Sequence, residues 1–99
     1  MKPSAVQYWL YAVLNNRYGY DCEITRGPLY KRYRINKHDF DVTVEGVASI
    51  DVYYFLTDLL KRSDYKVHTE FSRNAVMLVK DGRAVTISQF NGKISVSVV

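Results

Sequence analysis

Residues 65–99 read YKVHTEFSRNAVMLVKDGRAVTISQFNGKISVSVV, and this stretch indicates the fold class. Two dipeptides in it, Asp81-Gly82 and Asn91-Gly92, stand between runs that are rich in β-branched residues. Asp, Asn and Gly tolerate the positive φ angles that two-residue type I′ turns require. The stretch therefore predicts four short strands joined by tight turns, with the strongest turn signals at 81–82 and 91–92.

The last of these strands indicates the kind of sheet. Its apolar residues Ile94, Val96 and Val98 alternate with polar residues. Successive side chains of a strand point to opposite faces, so this pattern is typical of an antiparallel sheet with one face on the core and one toward water. The segment Lys93–Val99 is also a candidate open edge through which two copies could pair. Both a monomer and a dimer are compatible with this pattern.

Two stretches upstream have helical periodicity. The first, Ser4–Tyr18, and the second, Ser49–Arg62, each carry apolar residues at i, i+3, i+4, i+7 and i+8, which form one stripe along a helix. Ser4 and Ser49 are predicted N-caps, and Gly19 is predicted to end the first helix in a left-handed conformation. The two stripes are Val6, Trp9, Leu10, Val13 and Leu14, and Val52, Phe55, Leu56, Leu59 and Leu60.

Three further strands are predicted between the helices, at Tyr20–Ile24, Leu29–Ile35 and Phe40–Glu45. The predicted fold is α+β, with two amphipathic helices packed on an antiparallel sheet of six or seven short strands. A shift of 46 residues superposes the two helical stripes. Any two amphipathic helices would align on their stripes in this way, which is the favoured explanation; the alternative is a tandem α-β-β-β repeat with halves 4–46 and 49–99.

The composition is typical of a folded globular protein. The chain has 99 residues, of which 47% are hydrophobic and 24% are charged, which predicts a single domain over residues 1–99. No apolar run approaches the roughly 18 residues that span a bilayer, and the N-terminal residues lack a signal-peptide pattern. The single cysteine, Cys22, excludes an internal disulfide and suits a reducing compartment. We therefore expect a cytoplasmic protein without a membrane partner.

Positive charge is concentrated between Arg26 and His38. This segment holds five of the fourteen Lys and Arg residues and no acid, in a chain whose net charge is +4. Arg binds phosphate with two parallel hydrogen bonds, and both Arg and Tyr stack on bases, so the segment predicts a nucleic-acid interface. An acidic protein partner and a solvated edge strand are the alternatives. The predicted nucleic-acid-binding residues are Arg26, Tyr30, Lys31, Arg32, Arg34 and Lys37.

Tyrosine is the second unusual feature, with nine Tyr residues against four Phe and one Trp. Tyrosine side chains often anchor protein interfaces, because the ring buries apolar area while the hydroxyl stays hydrated. An alternative function is therefore a protein-binding inhibitor or adaptor of the kind found in phages and mobile elements. Its predicted interface residues, all lying off the two helical stripes, are Tyr8, Tyr11, Tyr18, Tyr53 and Tyr54.

Residue patterns that would indicate catalysis are weak. Asp39 and Asp41 share one strand face, but two carboxylates without a third ligand are better explained by a turn followed by a strand. Cys22 and His68 follow equivalent helices, yet alternation places the thiol inward and the imidazole outward. The sequence has no glycine-rich phosphate loop, zinc-ligand spacing or nucleophile elbow. We therefore expect a non-catalytic binding protein without a metal or cofactor.

Overall fold

The computed structural model describes residues 3–26 and 39–99, which form two helices and a six-stranded antiparallel sheet. A single 3₁₀ turn, Gly19–Asp21, follows the first helix. The helices are α1 (Pro3–Tyr18) and α2 (Ser49–Arg62). The strands are β1 (Cys22–Arg26), β2 (Phe40–Val44), β3 (Lys66–Ser72), β4 (Ala75–Lys80), β5 (Arg83–Phe90) and β6 (Lys93–Val98).

The two predicted tight turns are confirmed. Asp81 and Gly82 have φ angles of 50° and 78°, and Asn91 and Gly92 have φ angles of 51° and 76°. Positive φ at both central residues is the requirement of a type I′ turn, whose twist matches that of the flanking strands. The register follows from these turns, because Lys80 pairs with Arg83 and Phe90 pairs with Lys93. The four-strand arrangement of residues 65–99 is therefore a local consequence of the sequence.

The predicted open edge at Lys93–Val99 is wrong. The strand order is β1-β2-β6-β5-β4-β3, so β6 lies inside the sheet between β2 and β5. The edge of the C-terminal meander is instead β3, where two irregularities in register interrupt the pairing with β4. Such bulges are a usual protection of an edge strand against pairing with another chain.

Both helices cover the same face of the sheet. The inward side chains of the strands and those of both helices form one buried cluster. Across the sheet this face is continuous in register, since Val42 pairs with Ile94, Val96 with Ile87, and Val85 with Leu78. The opposite face carries mainly small and hydroxyl side chains, including Ser95, whose Oγ donates to Asp41 Oδ1 at 2.9 Å.

The buried face of each helix is rotated slightly from the predicted stripe. In α1, Trp9 and Val13 are half-buried whereas Gln7 is 6% exposed. In α2, Phe55 and Leu59 are half-buried whereas Tyr53 is 5% exposed. Each helix therefore directs at least one polar or amphipathic residue inward, since α2 also buries Thr57, and leaves part of its apolar stripe at the margin. Residues fully buried at the centre of these faces are Val6, Leu10, Leu14, Val52, Leu56 and Leu60.

Two local predictions differ from the structure. Ser49 does not cap α2, because Ala48 occupies the N-cap position; the Ser49 hydroxyl instead donates to Gln89 Oε1 of β5 at 2.5 Å. The first strand begins at Cys22 rather than Tyr20, because Gly19 has a φ angle of 60° and starts a 3₁₀ turn. Gly19 thus ends α1 in the predicted left-handed conformation. The predicted strand Leu29–Ile35 lies outside the described residues.

The tandem repeat is not confirmed. With the 46-residue shift, the buried positions of α1 match those of α2, and β1 and β2 correspond to β3 and β5. However, β1 pairs directly with β2, whereas β3 and β5 are separated by β4. The helical match therefore reflects a shared amphipathic pattern, while the strand pairing of the two halves differs.

Substitution of Leu56 tests the position of the core. Leu56 is 0% exposed, so Leu56→Ala should lower the free energy of unfolding by roughly 2–5 kcal/mol through lost burial and a residual cavity. Leu59→Ala is the matched control, because Leu59 is in the same helix but only half-buried. Urea unfolding of both variants should show the smaller loss for Leu59→Ala. Equal losses would contradict this orientation of α2.

Candidate functional site

The most basic part of the chain connects β1 to β2. Residues 27–38, called here the basic connection, hold four Lys or Arg residues and no acid. The described residues hold nine Lys or Arg against ten Asp or Glu, so the positive balance of the protein does not come from its described body. Tyr30, Lys31, Arg32, Arg34 and Lys37 lie outside the described residues, and Arg26 is the last residue of β1.

The two ends of the basic connection meet at one end of the sheet. Arg26 pairs with Phe40, so β1 stops where β2 starts. Because neighbouring strands are antiparallel, β6 and β4 also stop at this end and β5 starts there, with the turn Asp81-Gly82 between β4 and β5. The C-terminus of α2 reaches the same end, where Lys80 Nζ donates to the carbonyl oxygen of Ser63 at 2.9 Å. We call this end of the molecule the basic end.

Charged residues of the described body are distributed unequally between its two ends. Apart from Arg26, the half of the body toward the basic end carries five cationic residues and five acids, whereas the opposite half carries three cationic residues and five acids. Those of the half toward the basic end are Lys61, Arg62, Lys66, Lys80 and Arg83, with Asp39, Asp41, Asp58, Asp64 and Asp81. Those of the opposite end are Arg17, Arg73 and Lys93, with Asp21, Glu23, Glu45, Asp51 and Glu70. The basic connection therefore leaves and rejoins the body at its more positive end.

A cleft of about 480 Å³ opens at the basic end. It is bordered by α1, the end of α2, and the β4–β5 turn. Two aromatic residues, two cationic residues and one acid line it. The lining residues are Trp9, Ser63, Tyr65, Lys80, Asp81 and Arg83.

The C-terminal cap of α2 places Tyr65 in this cleft. Asp64 has a φ angle of 70°, its N–H donates to Lys61 O at 3.2 Å, and the Tyr65 N–H donates to Leu60 O at 3.0 Å. These two bonds form a Schellman motif, which satisfies the last carbonyl groups of the helix. The Lys80 ammonium satisfies a further carbonyl, that of Ser63, and lies 5.7 Å from the centroid of the Tyr65 ring.

Sequence reasoning did not identify this cleft. The sequence pattern places Trp9 in the apolar stripe of α1, but periodicity alone does not predict that this side chain is only half-buried. Tyr65, Lys80 and Arg83 are far from Trp9 in sequence, and their proximity depends on how α1 crosses the sheet. The available local signal was the Asp81-Gly82 turn, which places Lys80 and Arg83 opposite one another.

The five predicted interface tyrosines do not form one surface. Tyr8 and Tyr54 are exposed, at 70% and 55%. Tyr11 is half-buried and packs on Phe40 with ring centroids 4.6 Å apart. Tyr18 is half-buried and contacts Phe55 edge to face at 5.8 Å. Tyr11 and Tyr18 therefore close the margin of the core.

Two of the tyrosines, Tyr53 and Tyr54, are brought together with ring centroids 5.7 Å apart. They line a groove of about 360 Å³ between α2 and β3. Val67 on the opposite wall is 47% exposed, which leaves apolar area accessible beside Tyr54. The charged residues of this groove are of both signs: Asp58, Lys61, Glu70 and Arg73.

The other chemically reactive side chains do not converge. Cys22 and His68 belong to β1 and β3, which are at opposite edges of the described sheet. Asp39 and Asp41 are buried, and Asp39 Oδ1 has no hydrogen-bond partner among the described residues. Within residues 3–26 and 39–99, no three His, Cys, Asp or Glu side chains are grouped as metal ligands would be. Neither helix of the described part of the chain is long and apolar enough to cross a membrane.

Burial changes the acidity of three groups. It raises the pKa of the Cys22 thiol. It also raises the pKa of Tyr53, where Glu70 and Tyr54 act in the same direction. Burial is also the main cause of the raised pKa of Tyr65. The positive charge of Arg83 partly opposes this shift, and the negative charge of Asp81 adds to it. Both tyrosine hydroxyls thus stay neutral to a higher pH than in an unfolded chain, where the pKa is about 10.

Alkaline unfolding tests the environment of these two tyrosines. A raised pKa in the folded state stabilises the protein below the unfolded pKa, and this contribution is lost as pH rises through the folded pKa. The free energy of unfolding should therefore fall above about pH 10. The free energy of unfolding should fall less steeply with pH in Tyr53→Phe and Tyr65→Phe. The control is Tyr8→Phe, which also removes one tyrosine but at an exposed position. Identical curves for all three variants in denaturant titrations would contradict the prediction.

Comparisons with known proteins leave the function to be inferred from these features. No protein-family model, curated protein or solved structure matches the chain. The candidate sites are therefore the basic end, with its connection and cleft, and the groove beside Tyr54.

Proposed function

We propose that this protein is a non-catalytic binding protein that engages nucleic acid through its basic connection. The observation that supports this most is the place where the chain leaves and re-enters the described body. Arg26 pairs with Phe40, so β1 ends and β2 begins at the basic end. The cation-rich segment thus joins the body at the end that holds most of the described cations, where a polyanion meets an attractive field.

The proposed contacts follow from side-chain chemistry. Arg26, Lys31, Arg32, Arg34 and Lys37 bind phosphates, with the arginines offering bidentate hydrogen bonds. Tyr30 stacks on a base. The opposite half of the body carries two more acids than cations, so its field favours approach of the polyanion from the basic end.

Salt dependence tests whether phosphates are the partner. Five phosphate contacts would give a slope of log K against log salt near −4.5 for duplex DNA, at about −0.9 per contact. Binding of labelled single- and double-stranded DNA and RNA should be measured by fluorescence anisotropy over a range of salt concentrations. Binding that is tight but insensitive to salt would exclude a phosphate-based interface.

Charge reversal locates the interface. Arg32→Glu combined with Arg34→Glu should abolish nucleic-acid binding and leave the fold unchanged, since surface substitutions usually alter stability little. The control, Arg73→Glu with Lys93→Glu, makes the same change in net charge at the opposite end of the molecule. Equal loss of binding in both double variants would show that only the net charge matters, and would contradict this location.

A protein-binding inhibitor or adaptor is the second candidate function. The observation that favours it is the groove between α2 and β3, where exposed Tyr54 faces accessible apolar area on Val67. The partner would insert an apolar side chain beside Tyr54 and pair its own charges with those around the groove. An acidic partner would in addition contact the basic connection.

Substitution of Tyr54 tests this second function. Tyr54→Arg should prevent capture of a protein partner by the tagged chain, because it replaces a central aromatic contact with a charge. Tyr8→Arg, on an exposed position of α1 outside the groove, should leave capture unchanged. Mass spectrometry of the captured proteins would compare the two variants. A partner retained equally by both would exclude the groove as its binding site.

A further inference from the structure

We propose that the cleft at the basic end is a nucleotide subsite, with a base against Trp9 and its phosphate between Lys80 and Arg83. This inference extends the proposed nucleic-acid function and rests on it. It adds residues outside the basic connection, and it requires an unpaired base. The preferred ligand is therefore single-stranded nucleic acid.

The size and lining of the cleft fit such a ligand. Its volume of about 480 Å³ lies within the range of roughly 300–1,000 Å³ that small-molecule sites occupy. Trp9 is half-buried, so its indole is held by packing while part of the ring remains accessible. Stacking on an aromatic ring is available to every base, because every base has a π-face.

The phosphate position is defined by two cations. Lys80 is held by the carbonyl oxygen of Ser63, and an ammonium group has three N–H donors, so this bond occupies one of them. Arg83, opposite Lys80 in the β4–β5 hairpin, is close enough to Tyr65 to lower the pKa of its hydroxyl. Asp81 also borders the cleft, so the formal charges of the three charged lining residues sum to +1.

The topology places this subsite near the start of β2, where the chain returns from the basic connection. The connection enters β2, the cleft is bordered by the start of β5, and only β6 separates these strands. Neighbouring strands are about 4.8 Å apart, so the two positions are separated by about 10 Å along the end of the sheet. A strand of nucleic acid held by the connection can therefore place a neighbouring nucleotide in the cleft.

Trp9 is the only tryptophan, so its fluorescence reports on the cleft directly. The intact protein should be titrated with adenosine 5′-monophosphate, with adenosine, and with inorganic phosphate. Saturable quenching by the nucleotide at millimolar concentrations is expected, with weaker binding of adenosine and of phosphate alone. No quenching by the nucleotide, or equal affinity for adenosine, would overturn the subsite.

Two variants and a control identify the phosphate contacts. Arg83→Gln and Lys80→Met should each weaken binding of the nucleotide about tenfold, as expected for the loss of a charge-assisted hydrogen bond. Lys93→Met, at the start of β6 at the opposite end, should bind as the unmodified protein does. Circular dichroism and thermal unfolding identify any variant that fails to fold, and Arg83→Gln preserves the Lys80 bond to α2. Unchanged affinity in folded Arg83→Gln would overturn the proposal.

Oligonucleotides separate this inference from the function on which it rests. If single-stranded DNA binds through Arg32 and Arg34 but leaves Trp9 fluorescence unchanged, the proposed function stands and the subsite is wrong. If quenching by the oligonucleotide survives Arg32→Glu with Arg34→Glu but is lost in Arg83→Gln, the subsite stands and the basic connection is not the interface.

Discussion

The pairing of β2 with β6 joins the two halves of this protein. It is the contact through which the four strands β3 to β6 become continuous with β1 and β2. Phe40, Val42, Ile94 and Val96 meet across it, and all four are almost completely buried beneath the helices. On the other face, Ser95 donates to the carboxylate of Asp41, which satisfies one oxygen of a buried acid. Neither half could bury its apolar face to the same extent without the β2–β6 pairing, which we call the seam.

The seam also determines where the candidate functional groups lie. Once β6 runs antiparallel to both β2 and β5, the start of β2 and the start of β5 are at one end of the sheet. The basic connection therefore enters the body on the same side as the β4–β5 turn. The helix α2 ends there as well, and its cap supplies Tyr65 and engages Lys80. The basic end is thus a consequence of strand order rather than of any single run of charged residues.

Local features of the fold were predictable from the sequence, whereas long-range contacts were not. The turns at 81–82 and 91–92 depend on residues that tolerate positive φ, and α2 was predicted with its observed bounds. The position of β6 depends instead on which strand from the first half pairs with it, and its alternation pattern suits an edge or an interior strand equally. Serine before an apolar stripe predicts an N-cap at Ser49. Its hydrogen bond to Gln89, 40 residues away, has no sequence signature.

The same distinction applies to the candidate site. The charge of the basic connection is visible in the sequence, but the cleft requires α1 to approach the β4–β5 turn. Lys80 illustrates why such groups are missed: its ammonium satisfies the end of α2 and also borders the cleft. A lysine fixed by a structural hydrogen bond loses less side-chain entropy when it meets a ligand than a free surface lysine does. The bond that stabilises the helix end therefore also preorganises a cation for a phosphate, so one side chain links the stability of the fold to the proposed recognition.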